Sequence, residues 1–360
     1  MKKILCFIDE LGPGGAERQL VGLASMLKNH GYDVSVYCYH PIYFYEPILS
    51  ENEVSLIKEN SLPQNVFQKL WRSFRVLKNG GYDFIISFSP GSSLAALICK
   101  PFFRKTKLLV SDRNMTPVIS LKQKVIFNLY RLADYIVPNS YTQTKILAKH
   151  YPFMQPKLRT ITNFVDFSKF QPSLPICRSR NGILNMIVVA RHAVDKNISN
   201  FIKAVYIAKS RGLRFKVDWY GNYNNRIGEQ NLGLIKEYAV DDIIRFLPPH
   251  NNIKECYAKA DVMCLPSVRE GFSNVIGEAM CMGLPVICGC ISDNVKMIED
   301  GVNGYLFDPT SPDDIAEAIE KMINTDDNLF KTFSNNNLKK AHEMLSATSF
   351  LKKYVNIIES

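Results

Sequence analysis

The sequence predicts an α/β protein made of two doubly wound parallel-sheet domains facing a cleft. Three observations lead there. The chain has 360 residues, short apolar runs alternate with amphipathic stretches through both halves, and a proline-containing break separates the halves. A length that is long for one α/β domain suits two of about 150–180 residues. Continuous apolar strands alternating with helical patterns mark parallel sheets covered on both faces.

In the first half, strands are expected at 4–8, 33–39, 84–88, 107–111, 135–138 and 158–161. Between the first two, Ala16, Leu20, Leu23, Ala24 and Leu27 recur at helical spacing. Gln171-Pro172-Ser173-Leu174-Pro175, running on to Asn181-Gly182, carries two prolines and no period, and reads as a linker. It divides a first domain, 1–175, from a second, 176–345. In the second, strands are expected at 186–190, 216–219, 243–247, 262–265 and 285–288. Helices are expected over 197–210, 230–239, 252–260, 274–282 and 312–323. Residues 346–360 read as a terminal helix whose packing partner the sequence leaves open. Sheets of this kind bind ligands at the carboxyl ends of their strands.

Composition narrows the class. Hydrophobic residues make up 46% and charged residues 22%, as in globular proteins with packed cores. No apolar run reaches the roughly 18 residues a membrane span needs. The N-terminal apolar run stops at Asp9-Glu10, too short for a signal-peptide core, so a cytoplasmic location is expected. Nine cysteines are scattered without the paired spacings of a disulfide framework or a zinc site, and read as buried thiols. Charge is uneven. Residues 1–175 hold 22 Lys and Arg against 12 Asp and Glu, whereas residues 176–360 hold 22 of each. The first half alone therefore calls for an anionic partner.

Four stretches could carry chemistry. Gly12-Pro13-Gly14-Gly15-Ala16-Glu17-Arg18 follows the first strand. Its glycines allow close approach to a phosphate at the next helix start, though a tight strand-to-helix turn would look the same. In Val188-Val189-Ala190-Arg191-His192-Ala193-Val194-Asp195-Lys196-Asn197, a buried strand delivers Arg191 to its carboxyl end, with Lys196 just before a helix. Two cations so placed suit a diphosphate, or else are solvated loop residues. The third stretch runs from Pro266 to Met280: a strand enters a polar loop with Arg269 and Glu270, and a helix opens at Ser273 or Asn274, both good N-caps. Glu270 and Glu278 are natural acceptors for sugar hydroxyls, and Glu278 precedes the apolar Ala279-Met280-Cys281-Met282, where an idle carboxylate would be costly. Fourth, Lys69, Arg72, Arg75 and Lys78 share a helical segment with Leu70, Trp71, Phe74 and Leu77, and 101–107 adds aromatics beside cations. Such segments suit an anionic membrane interface, or form a core helix with a solvated basic face.

Together these stretches resemble a known family. Glu270-Gly271-Phe272-Ser273-Asn274-Val275-Ile276-Gly277-Glu278-Ala279-Met280, followed by Gly283-Leu284-Pro285-Val286-Ile287, resembles the signature of the retaining glycosyltransferase family 4, the glycosyl transferases group 1, which have the GT-B fold. Gly14-Gly15-Ala16-Glu17, Asn163-Phe164-Val165-Asp166 and Gly301-Val302-Asn303-Gly304 are similar to further segments of it in the same order.

The resemblance implies two Rossmann-like domains and a retaining, metal-independent transfer. A hexose or N-acetylhexosamine would move from a nucleotide-diphosphate sugar, UDP-linked by preference, to a saccharide acceptor, a lipid-linked glycan of cell-surface polysaccharide synthesis. Arg191 and Lys196 would neutralise the leaving diphosphate in place of a metal; no Asp-x-Asp triplet occurs. Glu278 would hold the donor ribose. Glu270, Phe272, Ser273 and Asn274 would hold the sugar and phosphates, with Gly14 and Gly15 from the first domain. Leu247 lies where the family frames the base, though Pro248 replaces its usual Gly. Arg113 stands where many members have a His, and could stabilise charge without acting as a base. The catalytic set implied is Arg191, Lys196, Glu270 and Arg113. No metal or other cofactor is expected, nor any nucleic acid, since no base-stacking module is recognisable. Peripheral contact of the first domain with an anionic membrane is. Competing readings are a nucleotide-sugar epimerase on the same plan and a non-catalytic nucleotide-sugar-binding subunit.

Overall fold

A computed structural model describes residues 1–113, 115–116, 118–172 and 182–360. The chain folds into two compact units: Met1–Asn163 with Thr348–Ser360, and Phe164–Ala347. The break expected at residue 175 lies outside the described residues.

The first unit runs β1 (Lys3–Ile8), α1 (Gly15–Asn29), β2 (Asp33–Cys38), α2 (Glu46–Glu51), β3 (Ser55–Ile57), α3 (Val66–Asn79), β4 (Phe84–Ser87), α4 (Pro90–Cys99), β5 (Lys107–Val110), α5 (Leu121–Leu129), β6 (Tyr135–Ile136) and α6 (Tyr141–His150). Its six strands are parallel in the order β3-β2-β1-β4-β5-β6. The central strand β1 is apolar on both faces, with Ile4, Leu5, Cys6, Phe7 and Ile8 all fully buried, because helices cover both sides.

The second unit runs β7 (Leu184–Val189), α7 (Ile198–Ser210), β8 (Phe215–Tyr220), α8 (Arg226–Glu237), β9 (Ile244–Leu247), α9 (Ile253–Tyr257), β10 (Val262–Leu265), α10 (Asn274–Cys281), β11 (Val286–Gly289), α11 (Asn294–Met297), β12 (Gly304–Phe307), α12 (Pro312–Asn324) and α13 (Asp327–Met344). Its strands are parallel in the order β12-β11-β10-β7-β8-β9. On one face of this sheet Phe201, Trp219, Phe330 and Phe333 pack into a single core. Each such side chain contributes about 1.5–3 kcal/mol of hydrophobic stabilisation.

Helix starts follow local chemistry. Side chains of Asn65, Ser140, Asn225, Ser273, Ser311 and Asp326 accept from first-turn amides of α3, α6, α8, α10, α12 and α13, satisfying N–H groups that have no partner within the helix. The last helix, α14 (Ala347–Glu359), packs on the first unit. Glu359 accepts from Tyr32 Oη at 2.6 Å and Lys2 Nζ at 3.0 Å, and the Tyr354 ring lies 6.3 Å from Phe88.

One expected strand is corrected: 158–161 makes only a bridge between Leu158 and Ile136. Elements not expected include the edge strands β3 and β12, the short helix α11 and the long polar helix α13.

Candidate functional site

The polar groups singled out in the second unit converge at the carboxyl end of its sheet. β7 delivers Arg191, which is exposed; among the described residues no hydrogen bond or ion pair engages its side chain. A short 3₁₀ turn, Val194–Lys196, then turns the chain into α7. Lys196 Nζ lies 2.6 Å from Glu270 Oε1 and 3.6 Å from Asp195 Oδ2. The Lys196 and Glu270 side chains are 16% and 14% exposed, so this pair is largely desolvated and holds two loops together.

Asn197 fixes the turn. Its backbone is left-handed, φ +59°, a conformation Asn tolerates better than most residues. Its side-chain amide donates to Pro266 O at 3.0 Å and Pro309 O at 2.5 Å. Val268 N also donates to Asp195 O at 3.0 Å. The loops after β7, β10 and β12 are thereby tied before any ligand arrives. Ser292 Oγ adds a bond to Glu270 O at 2.5 Å.

Of the two candidate caps of α10, Ser273 is the one used: its Oγ accepts from Ile276 N at 3.4 Å. The Asn274 side chain, half-buried, sits one residue into the helix. One turn further in, Glu278 is buried and Tyr257 Oη donates to its Oε2 at 3.1 Å. An apolar shell of Phe272, Ile276, Ala279 and Met280 surrounds this end of α10. A carboxylate that accepts one bond from a tyrosine keeps acceptor capacity for a further donor. Leu247 ends β9 half-buried, and its carbonyl accepts from Gly221 N at 2.9 Å; its side chain is what remains for contact.

His192 is packed. Its ring meets Phe246 at 4.3 Å and Trp219 at 5.8 Å, and burial pulls its pKa down to about 4.

In the first unit, Gly14 is the extended N-cap of α1 and supplies no capping side chain. Glu17 folds back over it, so that a Cβ at Gly14 would lie 2.0 Å from Glu17 Oε2. Burial, with Glu10 and Asp9 nearby, pushes the Glu17 carboxyl up. Arg113 lies 4.3 Å over the Phe88 ring and donates to Asn163 Oδ1 at 2.8 Å, and burial holds its pKa below the ordinary range.

Sequence reasoning thus named Arg191, Lys196, Glu270, Phe272, Ser273, Asn274 and Glu278, which lie on the loops and first turns at one sheet edge. It missed Asp195, Asn197, Tyr257 and Ser292, which hold that group in place. Only Asn197 left a local signal, an Asn at a helix start. Among the described residues no group of three or more His, Cys, Asp or Glu could hold a metal ion. Of the eight described cysteines, seven are buried and Cys290 is exposed.

The chain is similar to known proteins along most of its length. Residues 13–169 match the family model described as Glycosyltransferase Family 4, and residues 184–325 that described as Glycosyl transferases group 1. The chain is 25% identical over 352 residues to N-acetylgalactosamine-N,N'-diacetylbacillosaminyl-diphospho-undecaprenol 4-alpha-N-acetylgalactosaminyltransferase of Campylobacter jejuni, covering 93% of each chain. It is 26% identical to the amylovoran biosynthesis glycosyltransferase AmsD of Erwinia amylovora, covering 90% of each. In fold it matches Anabaena HepE, solved in complex with UDP and glucose, with a TM-score of 0.85 at 18% identity and full coverage of both chains.

Proposed function

The chain belongs to the family 4 glycosyltransferases, the glycosyl transferases group 1, and from that premise we propose that it moves a hexose or N-acetylhexosamine from a UDP-sugar onto a lipid-linked saccharide, with retention and without metal. The chain is a glycosyltransferase of the GT-B fold; donor, acceptor and stereochemistry are what is proposed. One observation carries the reading. Arg191, an exposed cation with no side-chain partner among the described residues, stands at the end of β7, on the same sheet edge as the Lys196–Glu270 pair and the first turn of α10. Cations and helix amides at one sheet edge form a diphosphate cradle.

In this proposal Arg191 and Lys196 take the charge that develops on the departing diphosphate. Glu278, oriented by Tyr257, accepts from the ribose hydroxyls. Glu270 and the amides near Phe272, Ser273 and Asn274 hold the sugar and phosphates, and the Leu247 side chain borders the base. The family resemblance also assigns the Gly14–Gly15 loop and Arg113 of the first unit to donor binding and charge stabilisation. The bond from the anomeric carbon to the phosphate oxygen breaks as the bond to the acceptor oxygen forms on the same face. The acceptor's proton passes to the departing phosphate, so no protein base is required. Positioning supplies most of the remaining acceleration.

Two named features support the acceptor. The Campylobacter jejuni relative acts, by its name, on a diphospho-undecaprenol-linked saccharide, and the first half of this chain carries the whole basic surplus. Both fit a peripheral position on an anionic cytoplasmic leaflet. The test is product stereochemistry: proton NMR of the product formed from an α-linked UDP-sugar, with EDTA present. An α linkage supports the proposal; a β linkage, or loss of turnover in EDTA, refutes retention or metal independence respectively.

A further inference from the structure

In the first unit, α3, α4 and α5 form one layer over the sheet; α4 packs against both of the others. Their inner sides give Leu77, Ala95, Leu97 and Phe127 to the core. Their outer sides are not polar. On α3, Phe67 and Trp71 stand one turn apart, 83% and 65% exposed. Beyond the end of α4, Phe102 is 64% exposed and meets Phe74, which meets Trp71: ring centroids are 5.2 and 5.9 Å apart. On α5, Leu121 is 81% exposed, and Val125, one turn on, is exposed as well. A run of large apolar groups on one outer face marks an interaction surface.

Its charge is mostly positive. Lys78, Arg104, Lys105, Lys122 and Lys124 are exposed between and beside these groups, as is Arg75, which pairs with Glu59 at 3.6 Å. From residue 60 to residue 133 the only acids are Asp83 and Asp112. Aliphatic and aromatic side chains among cations, with few acids, complement an anionic bilayer interface. A nucleic acid would use the cations but would leave Val66, Leu121 and Val125 without a partner.

The topology also orients the face. In a parallel sheet with crossover helices, helix N-termini lie near the carboxyl ends of the strands. Lys69, in the first turn of α3, shows this directly: its Nζ donates to Tyr39 Oη at 2.6 Å, one residue beyond β2. The most exposed groups, Phe67 and Leu121, are therefore on the rim that carries the Gly14–Gly15 loop and Arg113. We infer that the outer face of the α3–α4–α5 layer docks on an anionic lipid bilayer. Phe67 and Trp71 of α3 and Leu121 and Val125 of α5 enter the interface, with the sheet's carboxyl edge beside the headgroups. The inference rests on the lipid-linked acceptor reading for its purpose, but not for its evidence. Among the described residues no helix is long and apolar enough to cross a membrane, so contact through this layer is at the surface.

The chain supplies its own probe. It has two tryptophans: Trp71 is on this face, and Trp219 is fully buried in the second unit. Phosphatidylglycerol vesicles added to the full chain shift Trp71 emission to the blue and protect it from acrylamide, and phosphatidylcholine vesicles do neither. The double substitution Phe67→Ser and Leu121→Ser abolishes the shift, and Lys122→Gln and Lys124→Gln each lower vesicle affinity about fivefold. These sites are exposed, so melting curves should stay unchanged. Trp71 that remains unshifted and open to acrylamide overturns the inference, as does an equal shift with duplex DNA in place of lipid. Transfer to a water-soluble saccharide acceptor, measured on the same samples, separates the two readings. Transfer without vesicle binding overturns docking alone; vesicle binding without transfer to any saccharide leaves docking standing and overturns the proposed acceptor.

Discussion

Arg191 and Lys196 are both assigned to the leaving diphosphate, yet the structure predicts that removing them has unequal effects on folding. Arg191 is exposed and has no side-chain partner among the described residues, so Arg191→Ala should change stability by no more than about 0.5 kcal/mol. Lys196 is paired at 2.6 Å with Glu270 and lies 3.6 Å from Asp195, with little solvent reaching the pair. Lys196→Met leaves two carboxylates together without their cation, and should cost about 2 kcal/mol. In a unit of this size that lowers the melting temperature by roughly 4–8 °C. Turnover should fall in both, by about a hundredfold or more, because each loses a cation that acts on charge developing in the transition state. Differential scanning calorimetry reads the first effect, and steady-state kcat with donor KM the second. Lys196→Met with Glu270→Gln should recover most of the melting temperature without recovering kcat. The reasoning fails if Arg191→Ala melts as early as Lys196→Met. It fails equally if either variant keeps full kcat and only raises donor KM, since that would mean uniform binding.

Other consequences are more local. Tyr257→Phe removes the bond to Glu278 Oε2 and should raise donor KM about tenfold, read by titrating UDP into wild type and variant. Asn197→Ala loses two side-chain bonds and puts alanine in a left-handed conformation. Asn197→Gly should recover only the backbone part, roughly 1 kcal/mol in chemical denaturation. The folded state lowers the His192 pKa from 6.5 to about 4 by burial, so it favours the neutral ring. That stability is complete above pH about 6.5 and is lost as pH falls towards 4; His192→Leu should flatten the acid limb of a stability–pH curve.

The central strands were legible because burial on both faces leaves them continuously apolar: Val262–Leu265 of β10 has the bounds expected of it. The edges were not. β3 is three residues, Ser-Leu-Ile, and β12 is Gly-Tyr-Leu-Phe with its middle half-buried. Such short segments become strands only by pairing with distant β2 and β11. Helix α13 hid because its outward face is rich in Asn and Lys and its apolar period is thin. Leu158–Ile161 has strand composition but lies past the two-residue β6, with one bridge to it. In the site, strand ends and the α10 cap followed from local chemistry. The bonds of Asn197 to Pro266 and Pro309, and of Tyr257 to Glu278, join residues far apart in sequence, and no local pattern encodes such pairs. The α5 part of the exposed face was likewise invisible. Leu121 and Val125 would be read as core from spacing alone, and only their exposure shows otherwise.

The most direct test of the proposed activity is transfer followed by mass spectrometry. Purified protein is given a panel of UDP- and GDP-sugars, polyprenyl-diphosphate saccharides as acceptors, and EDTA. The account predicts that one UDP-linked sugar adds a single residue to a lipid-linked saccharide, with UDP released in equal amount. If no nucleotide sugar binds, or if a donor sugar is epimerised without release of UDP, the account is contradicted.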